Sequence, residues 1–272
     1  MRFGRRELMG FGLAGGMSLR SSLARAGSPA PINEKALAQF IKIRGALDDR
    51  MVIGCVSGQY NGVVDGQTTP LFGVVSAVFS KYRMQSGGYA LIEFEEAYYT
   101  DLATGKVLKD LKNPYTNETV VVPTYDGPTD RLLVTEKLQF QSDAKPSPNV
   151  KTQHFAEGPA ITGDDIVFVE RVSVSVAAAA GRPAFNYVDH TKLRAKVTDV
   201  ASSKIKMAGS QTHFEATCSW RPWLNMGDRP GYMTASGEGR FGVEFADLPQ
   251  NWLDASAILK PELLKNPESR LE

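Results

Sequence analysis

From Met51 onward the chain is built of short runs rich in Val, Ile, Phe, Tyr and Thr, separated by Gly, Asn, Asp and Pro at hairpin-like intervals. This pattern limits the fold more than any other feature. The clearest runs are Val52 to Val64, ending in an Asp65-Gly66 turn, Leu71 to Tyr82, and Tyr89 to Asp101, which leads through Ala103-Thr104-Gly105-Lys106 into Val107 and Leu108. Further runs span Thr119 to Val122, Leu132 to Phe140, Ile166 to Ala178, Leu193 to Val200 and Gln211 to Trp220. In the run from Ile166, alternation sets Ile166, Phe168, Val172, Val174 and Val176 on one face, interrupted by Glu170. Many antiparallel strands in one domain must protect their edges, either by closing on themselves or by packing as two sheets. The expectation is a mainly β, antiparallel, closed barrel-like domain of lipocalin or calycin type, with a two-sheet β-sandwich as the alternative.

Helical spacing flanks this region. Between Asn33 and Arg44, Ala36, Leu37, Phe40 and Ile41 recur at helical intervals after an Asn that can cap, and Gly45 ends the pattern. At the other end, Leu248, Trp252, Ala257, Ile258 and Leu259 return to helical spacing before Pro261, and this segment is expected to cover one end of the barrel.

Residues 1–26 have the layout of a cleaved export signal: Arg2, Arg5 and Arg6, an apolar stretch from Leu8 to Leu19, and the small-x-small string Ala24-Arg25-Ala26. Arg5 and Arg6 stand side by side directly before the apolar stretch, as in a twin-arginine signal. A membrane span needs about 20 mainly apolar residues, and this stretch is shorter and diluted by Gly10, Gly12, Gly15 and Gly16, so no stable anchor is expected. The expected organisation is a twin-arginine signal over 1–26, a single β-rich domain over 27–272, and a periplasmic location.

Charge argues against a nucleic-acid partner. The whole chain has 31 basic and 30 acidic residues; residues 1–26 hold five arginines and Glu7, which leaves 26 basic and 29 acidic residues in the rest. Cys55 and Cys218 are both in apolar strand-like runs, where each reads either as half of a disulfide or as a small buried hydrophobe. Oligomeric state is not legible.

No Gly-x-Ser-x-Gly elbow is present, and Gly54-Cys55-Val56-Ser57-Gly58 puts its serine one place too late. Nor is there a phosphate-binding loop or a dinucleotide fingerprint. The histidines His154, His190 and His213 are scattered; His213 with Glu215 falls on one strand face about 7 Å apart, suited to holding a metal, to orienting a general base, or to presenting a polar exposed face. A metal site should present three or four convergent ligands, so neither a metal nor any other cofactor is expected.

The run Tyr89 to Asp101 carries Leu91, Glu93, Glu95, Ala97 and Tyr99 on one face and Ala90, Ile92, Phe94, Glu96, Tyr98 and Thr100 on the other. Turned inward, Glu96 and Tyr98 would be a carboxylate and a phenol in an apolar cavity, fitted to proton transfer; turned outward, they are solvated residues. Glu170 poses the same choice. Trp220, Arg221, Pro222 and Trp223 form an aromatic and guanidinium cluster before a Gly-rich turn, suited either to contacting a flat or anionic ligand or to plugging a barrel end.

Three stretches, in this order, complete the sequence pattern: RGALDDR at Arg44 to Arg50 followed by GQYNGVVDG; YYTDLATGKVL at Tyr98 to Leu108 followed by KNPYTNETVVVP; and SWRPWLNMGDRPG at Ser219 to Gly231 followed by DLPQNW. Together they resemble the bacterial and fungal proteins grouped as domain of unknown function 1838, whose members often carry an export signal. The resemblance extends over nearly all of the chain after the signal and implies no catalytic residues. The residues themselves point to a barrel that holds a small apolar or aromatic molecule, with Tyr98, Trp220, Arg221 and Trp223 as contacts. The alternatives are a cofactor-independent lyase or isomerase with Glu96 or His213 as base, and a structural or partner-binding envelope protein.

Overall fold

The computed structural model describes residues 34–125, 127–142, 147–179 and 183–272. The twin-arginine segment lies outside the described residues. Helix α1 (Glu34–Arg44) leads into β1 (Val52–Val64), β2 (Gln67–Gln85) and β3 (Gly88–Thr100). A small hairpin, β4 (Asp110–Lys112) and β5 (Thr119–Val121), interrupts the sequence before β6 (Asp130–Thr135) and β7 (Phe140–Ser142). Then come β8 (Val150–Thr162), β9 (Asp165–Val176), β10 (Phe185–Lys196), α2 (Val197–Ala201), β11 (Ser210–Cys218), β12 (Tyr232–Val243), α3 (Gln250–Leu259) and α4 (Pro261–Lys265).

All ladders are antiparallel. Ten strands form one sheet in the order β7-β6-β3-β2-β1-β12-β11-β10-β9-β8, with β4-β5 separate. The sheet curls until its two edges almost meet: Gln139 bridges Phe155, and the Ala156 amide donates to the Leu138 carbonyl at 2.8 Å. It is a nearly closed barrel rather than a sandwich. Closure occupies the backbone groups an open edge would expose. The β1–β2 hairpin turns at Asp65 and Gly66 with φ of 50° and 76°, the pair of positive φ values that lets a two-residue loop follow the twist of its strands.

Helix α1 plugs one end of the barrel. Phe40, Ile41 and Ile43 are fully buried against Leu91, Val134, Phe168, Leu193 and Phe241 from the surrounding wall. Each such side chain contributes about 1.5–3 kcal/mol of transfer free energy. The Lys42 ammonium donates to the Val200 and Ser202 carbonyls at 2.9 and 2.6 Å, tying the plug to α2.

The C-terminal helices do not cover an end, as the spacing suggested. They lie on the outer wall, where Leu248, Trp252, Ala255 and Leu263 pack on Val75, Ala77, Phe79, Phe94 and Tyr98. Those positions are the outward faces of β2 and β3, so both faces of these strands are apolar. Trp252 has no exposed surface, and its indole N–H donates to the Glu96 carbonyl at 2.8 Å.

Three strands are absent from the sequence pattern, the three-residue β4 among them. β8 surrounds Gly158-Pro159, which reads as loop but is a bulge in the β8–β9 ladder with a cis peptide bond. β12 is rich in Gly and Ser, which hides its alternation. The expected strand Leu193 to Val200 instead ends at Lys196 and passes into α2.

Candidate functional site

The barrel wall lines a partly open cavity of about 150 Å³ between the α1 plug and the opposite, capped end. At the plug end, Arg44 leaves the last turn of α1 and enters the interior. Its Nε donates to Glu170 Oε2 at 3.0 Å and its Nη2 to Glu93 Oε2 at 2.9 Å, all three side chains being at most 5% exposed. The guanidinium also lies 4.2 Å from the centroid of the Phe241 ring. The other oxygen of Glu170 meets His154 Nε2 at 2.7 Å, and the imidazole stacks on Phe140 at 3.7 Å. Charges taken from water at this depth persist only with such close, well-aligned partners.

Glu95 and Asp189, both half-buried, also line the cavity. β3 and β10 stand five places apart in the ten-strand order, so the two carboxylates face each other across the barrel. Hydroxyl donors orient both: Ser76 donates to Glu95 at 2.5 Å, while Tyr187 and Thr191 donate to Asp189 at 2.7 and 2.9 Å. Val56, Val74, Val172 and Phe214 supply the apolar wall between them. Glycine makes room for that ring, since a Cβ at Gly237 would stand 2.4 Å from Phe214.

At the capped end Arg221, 5% exposed, points into the lumen. Its guanidinium lies 5.5–6.0 Å from the centroids of Tyr60, Phe185 and Tyr187, and it donates to the Tyr60 hydroxyl at 3.4 Å. Burial pushes the phenols of Tyr60, Tyr99 and Tyr187 above the ordinary tyrosine value, so at neutral pH they are hydrogen-bond donors. Above them Trp223 packs on Phe72 and Tyr99, with ring centroids 5.3 and 5.6 Å apart. Trp220 packs on Tyr115, from the turn of the β4–β5 hairpin, at 5.3 Å. Asn113 latches that hairpin to the cap by donating to the Leu224 carbonyl at 2.6 Å. The two tryptophans therefore plug the end, and Arg221 between them faces the cavity.

The remaining sequence candidates lie elsewhere. Glu96 and Tyr98 are on the outer face of β3, yet buried beneath α3 and the C-terminal segment. Glu96 is near Lys260 and Arg270, at 3.7 and 3.9 Å, and the Tyr98 hydroxyl lies 3.0 Å from Ser256 Oγ. This is neither of the two environments the alternation suggested. The face that reaches the lumen is the other one, bearing Glu93, Glu95 and Tyr99. His213 is on the barrel exterior, 2.8 Å from Glu238 and 3.4 Å from Glu215, and the hydrogen bond its ring donates to Glu238 raises its pKa above the usual histidine value. Of the six candidates, Arg221 alone lines the cavity. Among the described residues, no group of three or more His, Cys, Asp or Glu side chains could hold a metal.

Cys55 and Cys218 are both buried and reduced. Cys218 faces the lumen cluster and pairs in register with Met233, whereas Cys55 faces the outer wall and pairs with Arg240, seven positions along β12. At about 3.3 Å per residue that separation is far beyond the 7 Å limit for a disulfide.

Sequence reasoning missed Arg44, Glu95 and Asp189 as cavity groups. The alternation of Tyr187, Asp189, Thr191 and Leu193 was the available signal for β10.

The family described as Protein of unknown function (DUF1838) matches residues 54–272. No curated protein matches the chain. Among solved structures, the β domain of the Bordetella autotransporter BrkA aligns at 10% identity and a TM-score of 0.32, over 72% of this chain and 100% of that one. A likeness at that score carries no argument about this chain.

Proposed function

The chain belongs to the DUF1838 family, and on that premise we propose that its barrel interior binds a small molecule with an aromatic or apolar body. The observation that carries this is the cavity of about 150 Å³, lined by Tyr60, Tyr99, Tyr187 and Phe214 and by charged groups at fixed positions. A polypeptide barrel built only for stability fills its lumen with apolar side chains. Here the middle of the lumen is left open, and ionised groups face it at a desolvation cost that a filled core would not bear.

A cavity of this volume accepts a molecule of about one six-membered ring. The aromatic faces supply its walls and Arg221 marks the capped end. The setting proposed for binding is the periplasm, supported by the Arg5-Arg6 pair and the apolar stretch after it.

Native mass spectrometry on protein purified from its own cells, with a denatured control, tests the proposal. Extra mass corresponding to a small organic molecule, lost on denaturation, is the expected result. An unliganded spectrum that also fails to change on adding ring-sized compounds would refute it.

A further inference from the structure

We infer that Arg270, on the outer wall, is a positioning residue for the lumen: it fixes Gly127, and through Gly127 the Tyr125 side chain that lines the cavity. The inference rests on the reading of the lumen as a binding site and assigns the placing of one wall to a contact outside it. β6 pairs with β3 only from Gly88 to Glu93. Just past that ladder Gly127, from the connection between β5 and β6, lies against β3, where a Cβ on it would stand 2.4 Å from the Glu95 carbonyl oxygen. The same Cβ would stand 2.9 Å from both the ring edge and the hydroxyl of Tyr125. Gly127 is therefore wedged between the β3 backbone and the Tyr125 side chain. Both residues are buried, and Tyr125 is among the side chains around the cavity.

The described residues on either side of Gly127, from Val122 to Thr129, form no strand or helix, so this piece of wall lacks the ladder that fixes the rest of the barrel. Arg270 supplies a substitute. Its Nη2 donates to the Gly127 carbonyl at 2.5 Å, a charge-assisted bond of the stronger kind. The guanidinium is itself held on β3, 4.1 Å from the centroid of the Phe94 ring and with Nη1 3.9 Å from Glu96. The residues around Arg270 are anchored too: Glu268 pairs with Lys81 of β2 at 3.0 Å, Leu271 is buried in the outer-wall cluster, and the Glu272 backbone oxygen accepts from Arg131 of β6. Tied to three strands, this segment presents a fixed donor to the one carbonyl beside Tyr125. A ring already in place costs a ligand less to bind than one that must be ordered on binding.

The test titrates benzyl alcohol by calorimetry into the purified protein and into Arg270→Met, Tyr125→Ala and the double variant, with circular dichroism and thermal melting confirming each fold. Methionine keeps apolar packing on Phe94 while removing the donor. Arg270→Met and Tyr125→Ala should each weaken binding at least fivefold, and in the Tyr125→Ala background Arg270→Met should change the affinity by less than twofold, because its effect runs through the missing ring. Gly127→Ala, which crowds the Glu95 carbonyl and the Tyr125 side chain without altering the outer wall, should weaken binding as Arg270→Met does, and serves as the probe if Arg270→Met does not fold. Native affinity in Arg270→Met, in Tyr125→Ala or in Gly127→Ala would overturn the inference while leaving the lumen as a binding site. So would losses that multiply in the double variant, since Arg270 would then act independently of Tyr125. No binding of benzyl alcohol by the native protein would overturn the binding reading, and the role of Arg270 with it.

Discussion

Replacing Arg44 by methionine removes the guanidinium that joins the α1 plug to the barrel while keeping much of the side-chain volume. In the native protein two charge-assisted hydrogen bonds, at 2.9 and 3.0 Å, link Arg44 to Glu93 and Glu170, and none of the three side chains is more than 5% exposed. Removing one partner from a buried ion pair costs about 3–5 kcal/mol, because the remaining charge stays desolvated. The stacking of the guanidinium on Phe241 is lost as well. At roughly 2–4 °C per kcal/mol for a domain of this size, melting should fall by roughly 6–20 °C. Urea unfolding, followed by fluorescence of the buried Trp252 and by circular dichroism, measures the loss. The triple variant Arg44→Met, Glu93→Gln, Glu170→Gln should recover at least half of it, since neutral amides no longer require the guanidinium. A loss for Arg44→Met below about 1 kcal/mol, the range of an exposed pair, would refute the reasoning. So would a triple variant no more stable than the single one.

Three further outcomes follow from the same geometry. Ala97→Phe, which places a ring in the lumen from β3, should abolish binding of ring-sized probes with little change in circular dichroism, as calorimetry will show. Trp252→Phe leaves the Glu96 carbonyl without its indole donor and removes ring volume, a loss of about 2–4 kcal/mol readable by urea unfolding. The raised pKa of His213 means that its small stabilising contribution is present below the unfolded histidine value and lost as pH rises through the folded one. In a proton NMR titration its midpoint should therefore lie above 6.5, and Glu238→Gln should bring it down; an unchanged midpoint would contradict the assigned hydrogen bond.

How much of this was legible varies strand by strand. Val52 to Val64 has one apolar run and one Asp-Gly turn, both local features, and the strand and its hairpin are where the residues predict them. β12 could not be read in this way. Its Gly237 is small because the Phe214 ring needs the space, a requirement that belongs to another strand. β8 is mostly polar, with Gln153 and Glu157 on its exposed side, and only the curl of the sheet shows that it is the closing strand.

The choice between Glu95 and Glu96 marks the limit for the site. Alternation separates the two faces of β3, but both are buried, one by the lumen and the other by α3, whose docking on the outer wall no pattern within β3 announces. Arg221 was recognisable because its neighbours Trp220, Pro222 and Trp223 mark a packed turn. Arg44 was not, because its partners are 49 and 126 residues away in the chain.

The most direct test of the account is a crystal structure of the purified protein soaked with benzyl alcohol. The account predicts the ring in the lumen, against the side chains of Tyr60, Tyr99, Tyr187 and Phe214. A lumen holding only ordered water, with the compound bound on the exterior or not at all under conditions that saturate the protein, would contradict it.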